Sequence, residues 1–328
     1  MKAIVHTKYG TPDVLQLIEV DKPAPKEDEV LVKIQAASVN ALDWHLLTAD
    51  IFLVRLMGEG LLRPKNPKLG ADMSGRVEAV GSNIKEFQPG EEVFGDVAPW
   101  GLGSFAEYVV VPERALVTKP ANLTFEQAAA VPVAGFTALQ GLRDQGKIQP
   151  GQKVLIQGAA GGVGTFAVQI AKAFGAEVTA VCSTRNLDQA RTLGADHVID
   201  YTQDDFTENR QQYDLILAAN GYHPLSDYKR ALVPQGIYVM AGGTPAQIFQ
   251  AMLLGPLMSK KDGKKLGGVS AKTKREDLLV LKEMLEAGKI VPAIDRHYPL
   301  SETAEALRYL GTGHARAKVV ITMGENDK

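Results

Sequence analysis

The stretch that most constrains this chain is VLIQGAAGGVGTFAVQIAKAFGAEVTAVCSTRN, Val154 to Asn186. An apolar run of strand length meets a glycine cluster, then a helical stretch, then a second apolar run. Glycine weakens both helix and strand, so the chain must turn at the cluster. The helical stretch, TFAVQIAKAFGA, sets Phe166, Ile170, Ala171 and Phe174 on one stripe, and Gly175 fits its stop. Further strand-like runs follow at HVID, YDLILAA and GIYVMAGG, with a sixth strand near LGGVSA. Each strand is apolar through its middle, as in a parallel sheet covered on both faces. Strands and helices alternate from Lys153 to about Ala271, which predicts a doubly wound α/β domain.

The chain before this region has a different character. EVLVKIQAASVN alternates Val30, Val32 and Ile34 against polar neighbours, and GRVEAVG and FAEYVVVP are similar short strands. Gly and Pro punctuate them at short intervals, the pattern of a small β barrel or sandwich. Near Thr124 the sequence turns alanine-rich and helical, and Thr124 with Gln127 fits a capping box. Beyond Ala271, REDLLVLKEMLEAG and SETAEALRYLGTG read as helices, the second with Ser301 as N-cap, and AKVVITM as a closing strand. These pieces complete the first domain. The expected domains are residues 1–123 with 272–328, and 124–271 inserted between them.

Bulk properties exclude several classes. The 328 residues carry 36 cations and 38 anions, a net charge of −2, which gives no basis for binding nucleic acid or an anionic membrane surface. The single cysteine, Cys182, forms no intrachain disulfide and no multi-cysteine zinc site. AQIFQAMLLGPLM is too short to span a bilayer, and MKAIVHTKYG lacks the apolar segment of a secretory signal. No membrane span is predicted, and the expected compartment is the cytoplasm.

Read as a dinucleotide fingerprint, the glycine cluster has its three key positions at Ala159, Gly161 and Gly164, with Ala160, Gly162 and Val163 between them. The second position lets a pyrophosphate approach the backbone, and the third packs helix against strand. The phosphates then rest on a helix N-terminus, whose unpaired N–H groups and dipole favour an anion. The strand before and the helix after supply the context the fingerprint requires. NAD-preferring versions place an acid about 20 residues on, against the ribose 2′-hydroxyl. Here that place holds Ser183, followed by Thr184 and Arg185. A hydroxyl and a guanidinium suit a 2′-phosphate, so NADPH is the predicted cofactor. The Tyr201 hydroxyl is a further candidate for the same phosphate.

With these residues in view, the chain resembles the zinc-independent, quinone oxidoreductase-like branch of the medium-chain dehydrogenases and reductases. It is similar to plant chloroplast homologues that reduce α,β-unsaturated carbonyls. NALDW, LGADMSGRVEAVG, GSFAEYVVVP, AGFTALQGL, GAAGGVGTFAVQIAK, GADHVIDY, EAGKIVPAIDRHYPL and GHARAKVVI all carry the resemblance, in family order. It implies a GroES-like barrel domain plus a Rossmann domain with the active cleft between them, and possible pairing into a homodimer through the Rossmann sheet edge. Zinc-dependent relatives have ligands where this chain has Asn40, Ala71 and Val133, so no metal is expected.

The resemblance also implies site residues. SVNALDWH would line the cleft, with Asn40 and Asp43 as the candidate catalytic residues: Asn40 touches substrate or nicotinamide ribose and its amide can donate to an oxyanion, and Asp43 orients the loop or the cofactor; an Asx turn that merely stabilises backbone competes with both roles. Thr137 would contact the nicotinamide side. Asn220, Gly221, Gly242 and Gly243 lie just past apolar strands, where an open sheet meets its ligand. Gly268 and Val269 would meet the carboxamide, and Arg316 or Lys318 would add charge near the 2′-phosphate. Phe52, Leu53, Met57, Phe249 and Leu253 would make the cleft suit a small hydrophobic quinone or carbonyl substrate, ordinary packing being the alternative. The implied activity is hydride transfer from NADPH to a quinone or to the conjugated C=C of an enal or enone. An enoyl-thioester reductase and an NADPH-binding redox sensor or scaffold with little turnover are the alternatives.

Overall fold

The computed structural model describes the chain except residues 51–59, 244–246, 248–249, 252, 260–262 and 325–328. Phe52, Leu53, Met57 and Phe249 therefore lie outside the described residues. The chain forms two compact units: residues 1–133, 273–286 and 292–328 in the first, 134–272 and 287–291 in the second. Residues 124–133, expected with the second domain, belong to the first. There Ala129 and Ala130 pack on Ala36 and Val320.

In the first unit, β1 (Lys2–Val5) and β2 (Gln16–Glu19) form an antiparallel pair. The main sheet is built from β3 (Glu29–Val39), β4 (Asp72–Val80), β5 (Glu92–Asp96), β6 (Tyr108–Pro112) and β7 (Leu116–Thr118), joined by strands Ile294–Pro299 and Lys318–Thr322. One core lies between Val30, Val32, Ile34, Val93, Val109 and Leu116, as the alternation along β3 requires. The 318–322 strand pairs antiparallel with the far end of β3, Val319 opposite Val39, and Ser38 of β3 lies opposite Asp72 of β4. Three strand ends thus meet at one place.

The alanine-rich helical stretch divides. Thr124 Oγ1 accepts from Gln127 N and Gln127 Oε1 from Thr124 N, so the predicted capping box opens a short helix, Phe125–Ala129. Pro132, which has no N–H to give, starts a second helix, Pro132–Leu139. Ser301 does not cap a helix. It sits in a 3-10 turn, Leu300–Glu302, and the helix proper runs Thr303–Gly311 from Glu302. The Thr303 hydroxyl donates back to Leu300 O at 2.7 Å, so the turn closes without Ser301.

The second unit is a six-stranded parallel sheet of β8 (Lys153–Gln157), β9 (Glu177–Cys182), β10 (His197–Asp200), β11 (Tyr213–Ala218), β12 (Leu232–Met240) and β13 (Lys265–Gly268). Its order is β10-β9-β8-β11-β12-β13, so the winding reverses between β8 and β11. Open α/β sheets bind ligands at such a switch point, beyond the carboxyl ends of the strands. The crossover helix Gly162–Ala173 is buried on all sides from Gly164 to Ala171, not along one stripe, and Phe174 is only half-buried. Its outer side is covered by residues 287–291: Gln169 donates to Val291 O at 3.0 Å and accepts from Val291 N at 2.8 Å.

Candidate functional site

The glycine loop lies directly past β8. Gly158 turns with φ +75°, and its N–H, like that of Ala159, donates to Val181 O at 3.1 Å, which ties the loop to β9. The three glycine-type positions differ physically. A Cβ on Gly164 would sit 2.1 Å from Gly158 O and 2.7 Å from Ala159 Cα, so helix and strand touch there. A Cβ on Gly161 would meet only Gly158 O, at 3.5 Å. Among the described residues nothing else comes within 4 Å of that position, which leaves space at the N-terminus of a twelve-residue helix that begins at Gly162. Open space there, beside unpaired N–H groups, fits a pyrophosphate.

The other predicted residues of this unit gather along the same edge. Asn220 and Gly221 follow β11, Gly242 and Gly243 follow β12, and Gly268 ends β13 with Val269 just past it. Asn220 packs so close to Gly158 that a Cβ there would meet its N at 2.7 Å, and Gly221 turns with φ +110° beside Gln157. Gln157 is itself held by the Tyr228 hydroxyl at 2.6 Å. Thr137 is buried within the Pro132–Leu139 helix.

At the end of β9, Ser183 is half-buried and Thr184 and Arg185 are exposed. Ser183 Oγ accepts from Asn186 Nδ2 at 3.1 Å, which leaves its own proton to donate. Tyr201 is 61% exposed, its ring open to a ligand. A carboxylate that sequence spacing did not reveal stands beside them. Asp200, at the end of β10 and paired in register with Cys182, accepts from Thr184 Oγ1 at 2.5 Å and Thr202 Oγ1 at 2.7 Å. The Thr184 hydroxyl, foremost, holds the Asp200 carboxyl below its usual range.

In the first unit, Asn40 precedes the helix Ala41–Thr48, and Asp43 Oδ2 accepts the Asn40 N–H at 2.8 Å. Asp43 Oδ1 takes the Gly70 N–H at 2.9 Å. Both oxygens are thus engaged on backbone, in a side chain with no exposure, and burial pushes its carboxyl up to about 7. The Asn40 amide is equally occupied. Nδ2 donates to Asp72 Oδ2 at 2.9 Å and to Ser38 O at 3.3 Å, and Oδ1 accepts from Lys318 Nζ at 2.6 Å. Asp72 collects Ser38 Oγ at 2.9 Å, Val133 N at 2.9 Å and Lys318 Nζ at 3.3 Å. Asp96, opposite Asp72 in the β4–β5 register, is raised to about 6 by burial and takes the Thr273 hydroxyl.

Lys318 is therefore no surface cation for a phosphate: it is 3% exposed and committed to this cluster. Arg316 is exposed, belongs to the first unit, and gives its backbone N–H to Asp295. Trp44 packs its ring on Gly311, where a Cβ would come within 2.3 Å, so it serves the core. Leu253 is exposed. Among the described residues no group of three or more His, Cys, Asp or Glu is placed to hold a metal ion.

One unit whose sheet joins strands from the first and last parts of the chain, and a second that is a doubly wound sheet with a glycine turn and a helix N-terminus at its switch point, are the two parts of a nucleotide-dependent dehydrogenase or reductase. Comparison with known proteins agrees. Residues 26–121 match the alcohol dehydrogenase GroES-like domain, and residues 193–321 match the zinc-binding dehydrogenase model. The chain is 32% identical to a chloroplastic quinone oxidoreductase, QR1, of Triphysaria versicolor over 98% of both chains. It is 34% identical to the chloroplastic NADPH-dependent alkenal/one oxidoreductase of Arabidopsis thaliana, over 98% of this chain and 79% of that one. The structure of the quinone oxidoreductase from Coxiella burnetii superposes with a TM-score of 0.85 at 30% identity, over 99% of both chains. The chain belongs to the quinone oxidoreductase-like family of medium-chain dehydrogenases and reductases, NAD(P)H-dependent oxidoreductases with a GroES-like and a Rossmann-like domain. The plant relatives are chloroplastic by name, and no helix among the described residues is long and apolar enough to cross a membrane.

Proposed function

We propose that this protein is an NADPH-dependent, zinc-independent reductase of quinones or of the conjugated C=C of α,β-unsaturated carbonyls. The observation that carries the reading is the open turn at Gly161 in a loop tied to β9 at Val181, with Ser183 and Arg185 just past the end of β9 and Tyr201 bonded to that end through Cys182 O. The bound nicotinamide supplies the hydride. Residues 159–164 form the cradle: Gly162, Val163 and Gly164 offer the pyrophosphate the backbone N–H groups of the first helical turn, Ala159 and Gly161 shape the loop that brings it there, and Ser183 and Arg185 hold the 2′-phosphate by donated hydrogen bonds. Asn220, Gly221, Gly242, Gly243, Gly268 and Val269 line the remaining edge with backbone, which admits a flat ligand closely. Thr137 serves the nicotinamide side.

In the first unit, Asn40 and Asp43 act by position. The Asn40 amide has no hydrogen left for an oxyanion, and Asp43 spends both oxygens on backbone N–H groups. They fix the turn that opens the 41–48 helix. Zinc independence rests on the donor set: an amide at Asn40 and aliphatic side chains at Ala71 and Val133 are poor ligands, and an ammonium already neutralises Asp72. The lone buried Cys182 suits a reducing compartment such as the cytoplasm. A homodimer through the β13 edge, which among the described strands pairs with β12 alone, is the proposed assembly.

The test is steady-state oxidation of NADPH and of NADH with a panel of quinones, 2-alkenals, enones and enoyl thioesters, alongside metal analysis of the purified protein. Activity on quinones or enals with NADPH supports the reading; stoichiometric zinc, or turnover of thioesters alone, overturns it. Arg185→Ala should weaken NADPH binding about tenfold and leave NADH within twofold. Equal loss for both removes Arg185 from the phosphate site.

A further inference from the structure

The 2′ end of the cradle carries two opposed features. Ser183 and Arg185 offer donors, yet Asp200, 8% exposed, lies at the same sheet edge with its charge kept. Each of its oxygens is engaged. Oδ2 takes Thr184 Oγ1 at 2.5 Å and Gln203 Nε2 at 3.1 Å; Oδ1 takes Thr202 N at 3.0 Å and Thr202 Oγ1 at 2.7 Å. A hydroxyl has one proton. With both threonine protons drawn to a carboxylate, the stronger acceptor, the two oxygens present lone pairs outward. They lie 3.2 Å apart. A ribose 2′-hydroxyl can donate to such a pair of acceptors; a phosphate dianion cannot, and it also meets the negative charge behind them.

We propose that Asp200 is a specificity-determining residue that holds down the preference for the 2′-phosphorylated dinucleotide and keeps the unphosphorylated form usable. Thr184 then belongs to the Asp200 triangle, not to the phosphate donors. The inference rests on the NAD(P)H reading of the cradle and assigns its selectivity. It concerns ground-state binding alone, so it is read without turnover.

Isothermal titration of the full chain with NADPH, NADH, 2′,5′-ADP and 5′-AMP tests it, in wild type, Asp200→Asn and Thr184→Val, each checked for an unchanged melting profile. Asp200→Asn keeps the shape and removes the charge. It should tighten 2′,5′-ADP and NADPH about threefold to tenfold while 5′-AMP and NADH stay within twofold. Thr184→Val removes one of the two acceptors, so it should weaken 5′-AMP and NADH and leave 2′,5′-ADP no weaker, which raises the 2′,5′-ADP to 5′-AMP ratio. An unchanged or lowered ratio in Asp200→Asn overturns the proposal, as does a selective loss of 2′,5′-ADP in Thr184→Val, which would make that hydroxyl a phosphate donor. Should Asp200→Asn not fold, the Thr184→Val ratio decides. Wild type that binds none of the four ligands sinks the cradle reading itself, a different failure from an unmoved ratio.

Discussion

Lys318→Met should destabilise the first unit by about 3–5 kcal/mol at neutral pH. The magnitude follows from what the ammonium leaves behind. Asp72 has no solvent exposure, and Lys318 is its cationic partner at 3.3 Å. Removing one member of a buried pair strands the other charge, which costs about 3–5 kcal/mol, whereas an exposed pair is worth about 1 kcal/mol or less. Methionine fills similar volume, so little of the loss is cavity. The remaining donors to Asp72, from Ser38, Asn40 and Val133, carry no net charge. Asn40 Oδ1 also loses its 2.6 Å partner, which adds about 1 kcal/mol. Both tryptophans, Trp44 and Trp100, lie in the first unit, so their fluorescence during urea unfolding reports that unit. Arg316→Met, two residues away and exposed, should cost under about 0.5 kcal/mol. A Lys318→Met loss below about 1 kcal/mol would show that the cluster is wet or its charges uncoupled, and the reasoning would fail.

The fingerprint glycines should separate cleanly. Gly164→Ala drives a methyl to within 2.1 Å of Gly158 O and should destabilise the second unit by several kcal/mol, seen as a lowered melting temperature. Gly161→Ala, at φ −81° with open space, should melt within about 1 °C of wild type and lose about tenfold or more in NADPH affinity; unchanged affinity would remove the cradle from this loop. Ala317 holds φ +67° while buried, so Ala317→Gly should raise stability by about 1 kcal/mol in urea titrations, and a loss would mean the backbone there is not strained.

The second unit was legible because its signals are contiguous. A strand, a glycine turn, a helix and a second strand within 33 residues are enough to predict a parallel α/β unit, and the residues past each later strand fall on the same edge by the geometry of a parallel sheet. Helix boundaries were less legible. Ser301 has the chemistry of an N-cap, but the Thr303 hydroxyl bonds back to Leu300 O and starts the helix two residues later. The crossover helix read as amphipathic because sequence periodicity sees one sheet; the residues that bury its other side, 287–291, come more than a hundred positions later.

The polar clusters show where sequence reasoning stops. Asn40 and Asp43 are close in the chain and drew notice as possible catalytic groups, yet what engages them is remote: Asp72 lies 32 residues from Asn40, and Lys318 lies 278. Only the antiparallel pairing of the last strand with the end of β3 brings that lysine to the amide. Lys318 looked like one more cation in a basic stretch beside Arg316, and nothing in its neighbours marks it as buried. Asp200 hid for the opposite reason. The acid that reads the ribose is sought at the end of the second strand, where this chain has Ser183; the carboxylate arrives instead from the adjacent strand, through a parallel register that sets Asp200 beside Cys182. Two positions that look alike to a motif scan, one with an acid and one without, are neighbours in space. If the proposed role of Asp200 holds, cofactor choice is a property of the pair of strand ends, and changing Arg185 alone or Asp200 alone samples only half of it.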